Sequence, residues 1–93
     1  MHSRKALTAY TVIGVCFSSQ KDYASAMPYF DIALKLEPEN GYSYWNRALN
    51  LIFLSGFEKG LKDIKRSVEL NPKNKEMAEK VIGMCNKIKE EKN

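Results

Sequence analysis

Pro38 and Pro72 stand 34 residues apart, each with a leucine two positions before it (Leu36, Leu70) and an asparagine two positions after it (Asn40, Asn74). A period of this length belongs to helical solenoids, in which one supersecondary unit buries its apolar face on its neighbour. Residues 7–40 and 41–74 align without a gap, and size repeats more faithfully than identity. Small residues pair with small ones (Gly14 with Ala48, Ala26 with Gly60, Ala33 with Ser67), and large apolar residues pair with large ones (Tyr10 with Tyr44, Phe17 with Leu51, Tyr23 with Phe57, Phe30 with Ile64, Leu34 with Val68). Two helices cross closely only where one of them is small, so Gly14 and Ala26 mark contact points closed off by the surrounding aromatics. Each unit therefore reads as a helical hairpin.

The pattern predicts five helices near 6–19, 23–36, 41–54, 57–70 and 74–90, with no linker or second domain. A proline pushes the residue before it out of the α region, which stops the second helix of each unit. Pro28 lies inside the second helix at the cost of one backbone hydrogen bond, and a mild bend is expected there. The chain has 93 residues, 44% hydrophobic and 28% charged, which is the composition of a single small globular domain. Two units and one helix fall short of the roughly three repeats that stacking needs for stability. The last helix must therefore carry part of the stability, and dimerisation would add to it.

Tyr10-x-x-Ile13-Gly14-x-x-Phe17, followed by Ala26-x-x-x-Phe30, Ala33 and Pro38, resembles the tetratricopeptide repeat pattern. The second unit follows it more loosely, as Tyr44-x-x-Arg47-Ala48-x-x-Leu51, then Gly60-x-x-x-Ile64, Ser67 and Pro72, with Arg47 at a position the family usually gives to leucine. The resemblance implies an all-α fold of antiparallel hairpins stacked as a short right-handed solenoid. Residues 7–40 would be the first unit, 41–74 the second and 75–90 a C-terminal capping helix.

Most chemistry is argued against by what the residues lack. Cys16 and Cys85 have neither CxxC spacing nor histidine company, and both fall on apolar faces, so both are expected to be buried thiols rather than a disulfide or metal ligands. His2 is the sole histidine and sits at the terminus. Ser18 and Ser19 have no base, the glycines form no phosphate loop, and the acid pairs sit at helix ends, so neither an enzyme nor a cofactor nor a small-molecule substrate is expected. Arg4 and Lys5 ahead of Ala6 to Phe17 resemble the start of a signal peptide. However, Gly14 and Phe17 are in register with the motif that runs on to Pro38, and the stretch is too short to span a bilayer. A cytoplasmic chain without a membrane partner is the expectation.

The net charge of +4 is unevenly placed. Residues 1–40 hold four bases and four acids, 41–74 six and three, and 75–93 five and four. Lys59, Lys62, Lys65 and Arg66 form one basic stripe on the fourth helix, which reads as a solvated outer face with Asp63 and Glu69 interspersed. No aromatic residue interrupts it to stack on bases, which argues against a nucleic-acid partner.

In proteins of the tetratricopeptide family the first helix of each hairpin lines a concave groove that receives a peptide or helix. Mapped onto this chain, the resemblance implies a groove of Thr8, Thr11, Val12, Val15 and Ser19, then Tyr42, Trp45, Asn46, Leu49 and Phe53, and finally Glu76, Lys80 and Gly83. The partner-binding residues expected to matter are Val12, Val15, Tyr42, Trp45, Asn46, Leu49 and Phe53, because an apolar, aromatic centre is the kind of surface that anchors a protein partner. Thr8, Thr11 and Ser19 cannot fill a core, which leaves part of the stripe open. A family subtype binds the carboxylate end of chaperone tails. Asn46 matches that clamp, whereas Thr11, Val15 and Glu76 do not, so this is the weaker reading. The alternative to a binding adaptor is self-assembly through Met77, Met84 and Ile88, an edge of the last helix that would meet its own hairpin partner in a longer array.

Overall fold

The last helix of each hairpin ends the same way, and the backbone records it. Glu37 and Asn71, the residues before the two prolines, adopt φ/ψ of −140/85 and −142/87, and both donate their N–H back to the preceding turn, to the Ala33 and Ser67 carbonyls. Two residues past each proline, the Asn40 N–H donates to the Glu37 carbonyl and the Asn74 N–H to the Asn71 carbonyl. A proline disfavours the α conformation in the residue before it, and at Pro38 and Pro72 the same sequence element produces the same turn twice.

The structure is a computed structural model and describes residues 4–92, with side chains from 9 to 91. His2 and the side chain of Thr8 lie outside the described residues. The helices are α1 (Arg4–Ser19), α2 (Tyr23–Leu36), α3 (Gly41–Ser55), α4 (Phe57–Leu70) and α5 (Lys75–Lys92), the last entered through a 3₁₀ turn at Pro72–Asn74. The expected bounds agree for α2 and α4. They move by one or two residues at the start of α1, the ends of α3 and α5, and the start of α5. Asp22 and Asn40 cap their helices by accepting hydrogen bonds from the Ser25 and Ser43 N–H groups. Between α3 and α4 no side chain caps, and Gly56 turns the chain at φ 99, ψ 155, a conformation essentially reserved for glycine. α2 runs through Pro28.

α1 packs on α2, α3 on α4, and α2 on α3, with α5 resting against α4, so the molecule is an all-α stack of hairpins measuring 49 × 28 × 16 Å. Close crossing falls where the small residues are. A Cβ on Gly14 would stand 2.7 Å from Cε1 of the fully buried Phe30. In the second hairpin the glycine is on the other helix, and a Cβ on Gly60 would stand 2.6 Å from the Ala48 carbonyl oxygen. The second hairpin shares one apolar cluster with α5, formed by Ala48, Ile64 and Ala78 with Trp45, Ile52, Leu61, Val68, Val81 and Ile82 around it.

Several expectations are corrected by packing. Thr11 is not a groove residue: it is 1% exposed, and its hydroxyl shares a 2.9 Å hydrogen bond with Ser43. A short polar residue can sit in a core when its one hydroxyl is satisfied. Asp63 does not belong to the solvated stripe. It is buried, and both its oxygens accept from Arg47, at 2.7 Å from Nε and 3.0 Å from Nη2, while Arg47 Nη1 reaches Asp31 at 3.0 Å. The hydrogen bond to Asp63 raises the already high pKa of Arg47, against the opposing effect of partial burial. Cys16 is exposed, so the expected burial holds for Cys85 alone.

Candidate functional site

α3 supplies most of the surface that could receive a partner. It is apolar on two sides because it serves two interfaces, and such a helix is either sandwiched or left with one face to offer. Tyr42, Asn46, Leu49 and Phe53 recur at spacings of four, three and four, which sets them on one stripe, and Trp45 lies beside it. Trp45 is half-buried and packs against the Ala48, Ile64 and Ala78 cluster, so its ring fills core. Phe53, by contrast, is 67% exposed although it stacks on Tyr23 at 5.2 Å between centroids.

Two hollows flank this stripe. On the α1 side, Val15, Ser18, Ser19 and Tyr23 face Asn46, Leu49 and Phe53 over Phe30, around a hollow of about 210 Å³. On the α5 side a cleft of about 250 Å³ has only apolar side chains in its lining: Leu49, Ile52 and Phe53 from α3, and Val81, Met84, Cys85 and Ile88 from α5. Its floor continues toward the α3–α4 turn through Gly56 and Phe57. Four of the expected partner-binding residues, Val15, Asn46, Leu49 and Phe53, thus line hollows. Val12 and Tyr42 are exposed outside them.

The structure also brings together two groups of residues that the sequence reading kept apart. Met84 and Ile88 share the cleft with Leu49 and Phe53, facing the preceding hairpin rather than the space where a further helix would lie, while Met77 is exposed beyond it. Carrying the 34-residue register one step further would have found this, since Met77 and Met84 then fall on Ser43 and Asn50, whose side chains turn toward α1 and α2. Thr11 and Ser43 bring α1 close to α3, whereas Met77 and Met84 stand exposed at the corresponding places on α5, which packs on α4. Ile52, Val81 and Cys85 were absent from the sequence-based site because on a helical wheel each reads as core, which each also is in part.

The polar members do not assemble a carboxylate clamp. Asn46 spends its amide on the Tyr42 carbonyl at 2.9 Å, and Lys80 lies 3.7 Å from Glu76. Among the described residues no group of three or more His, Cys, Asp or Glu side chains gathers as a metal site would require, and no helix is long and apolar enough to cross a membrane.

The tetratricopeptide repeat family matches residues 7–40. Residues 7–40 are a tetratricopeptide repeat. The chain is similar to the protein STIP1 homolog of Dictyostelium discoideum, 44% identical over 54 residues, which are 58% of this chain and 10% of that protein. It is also similar to DnaJ homolog subfamily C member 7 of Homo sapiens, 36% identical over 58 residues, 62% of this chain and 12% of that protein, and to its Mus musculus counterpart over the same extent. The chain thus spans about a tenth of the length of these relatives. The repeat matched over residues 7–40 and the likeness to these relatives support a protein–protein interaction role for this chain.

Proposed function

We propose that the chain is two tetratricopeptide units, 7–40 and 41–74, closed by a final helix over 75–90, and that it acts as a non-enzymatic adaptor taking an apolar segment of a partner protein into the α3–α5 cleft. The observation that carries this reading is the lining itself. Phe53 and Met84 stand 67% and 65% exposed across an otherwise apolar cleft, so a partner side chain entering it would cover large apolar surface without stripping water from any charge. Phe53 supplies a rigid ring and Met84 an adaptable thioether, a pairing that suits peptide or helix recognition.

The test is selection of short peptides from a random display library against the purified chain, followed by affinity measurement on variants. Peptides rich in apolar residues are expected, with affinity falling about tenfold or more on Phe53→Ala, as for a hot-spot side chain. Selected peptides that bind Phe53→Ala and Met84→Lys as tightly as the parent would remove the cleft from consideration.

A second reading rests on the exposure of Met77, Met84 and Ile88 along one side of α5. An exposed apolar stripe favours contact between copies of the chain, with self-assembly as the role and the same cleft as the seat.

A further inference from the structure

The walls of the α3–α5 cleft also constrain the backbone of whatever enters it. α3 and α5 both pack on α4, but their backbones do not come together as those of α1 and α3 do, so the cleft is a valley between two helices that share α4 as their support. One wall carries Leu49, Ile52 and Phe53, the other Val81, Met84, Cys85 and Ile88, and Gly56 and Phe57 stand at the far end. From Val81 to Ile88 the valley runs about 10 Å at the rise of an α-helix.

An extended chain laid along it advances about 3.3 Å per residue and turns every second side chain away, so about two side chains would face the floor. Its peptide N–H and C=O groups would meanwhile lie against Leu49, Phe53, Val81 and Ile88, which can pair none of them. The Met84 and Cys85 sulfurs are weak hydrogen-bonding partners. A helix satisfies its backbone within itself, and over the same ~10 Å it projects side chains at i, i+3 or i+4, and i+7 from one face. The hollow on the α1 side differs, because Ser18, Ser19 and Asn46 give it hydrogen-bonding groups that an extended chain could use.

Charge sets the composition of the inward face. No charged side chain is in the described lining of the cleft, and Lys87 lines neither part of it. Beside it on α5, Lys80 is paired with Glu76 at 3.7 Å and Lys89 with Glu58 at 3.4 Å. A charge carried inward by an occupant would lose its water and meet no counter-charge, so the matching face is uncharged.

Given that the cleft is the seat proposed above, we infer that the partner segment it takes is an amphipathic helix, lying along the valley with apolar residues at i, i+3 or i+4, and i+7 between Phe53 and Met84.

The experiment is fluorescence polarisation and circular dichroism with two labelled peptides of about 15 residues and one composition, leucines among alanines and glutamines, set at helical spacing in one and at every second position in the other. A third peptide carries one proline at the centre of the helical design. The helical peptide is expected to bind and to gain helical signal on binding, and the alternating and proline peptides to bind about tenfold more weakly or worse. Met84→Lys, a change at an exposed position, is expected to weaken the helical peptide about tenfold. Equal affinity for the alternating peptide, with Met84→Lys weakening both, would overturn the helix and leave the cleft standing as the seat. Affinity for the helical peptide unchanged by Met84→Lys would remove the cleft itself. Failure of the helical peptide to bind overturns the inference, as does a dimer of the chain in sedimentation that this peptide cannot dissociate, since a second copy would then fill the valley.

Discussion

Arg47 occupies a leucine position of the repeat pattern, and it repays the exchange by neutralising Asp63 beneath it and Asp31 beside it. Removing one member of a buried pair leaves the other charge without compensation, so Arg47→Leu is expected to destabilise the chain by about 3 kcal/mol in urea unfolding, and a loss below about 1 kcal/mol would show the pair to be dispensable. Because the Arg47 pKa is raised, its contribution is fully present below the pKa it has when unfolded and fades only as the solution becomes strongly alkaline; across the neutral range it should be flat. Gly14 makes the complementary case. With Phe30 already closer to its missing Cβ than carbon atoms tolerate, Gly14→Leu should cost about 1–3 kcal/mol by overpacking, read as a lower melting temperature by circular dichroism. Gly14 was legible in the sequence because size alone decides it. Thr11 and Asp63 were not, because burial of a polar residue depends on whether a partner 32 or 16 residues away arrives to satisfy it.

At the level of helices, the repeat spacing and the two proline turns were sufficient to place every element, since both act locally. The division of labour on α3 was harder to read. Tyr42, Trp45, Leu49 and Phe53 form one apolar stripe in sequence, yet packing assigns Trp45 to the core shared with α4 and α5 and leaves Phe53 in the open. Trp45→Ala should therefore unfold the domain more easily, by about 2–4 kcal/mol given that the ring is only half-buried. Phe53→Ala should stay within about 1 kcal/mol of the parent, as for most exposed positions. Urea unfolding of the two variants side by side distinguishes them, and the reverse order would mean that Phe53, not Trp45, is the structural ring. The orientation of α5 was unreadable from its own periodicity, because Met77, Met84 and Ile88 make an equally good stripe whether they face α3 or a helix still to come.

At the scale of the whole molecule, α5 rests on α4, with the Lys89–Glu58 contact of 3.4 Å toward its C-terminal end. If the exposed side of α5 joins copies of the chain, Met84→Lys should shift sedimentation toward monomer, and a parent that is strictly monomeric at high concentration contradicts self-assembly. The central claim, that the α3–α5 cleft receives an apolar segment of a partner, is tested most directly by titrating a library-selected peptide into labelled protein and mapping the nuclear magnetic resonance shifts. The predicted outcome is a perturbed set centred on Leu49, Ile52, Phe53, Val81, Met84 and Ile88, with the outer face of α2 unmoved; shifts that gather elsewhere while these residues stay silent would contradict it.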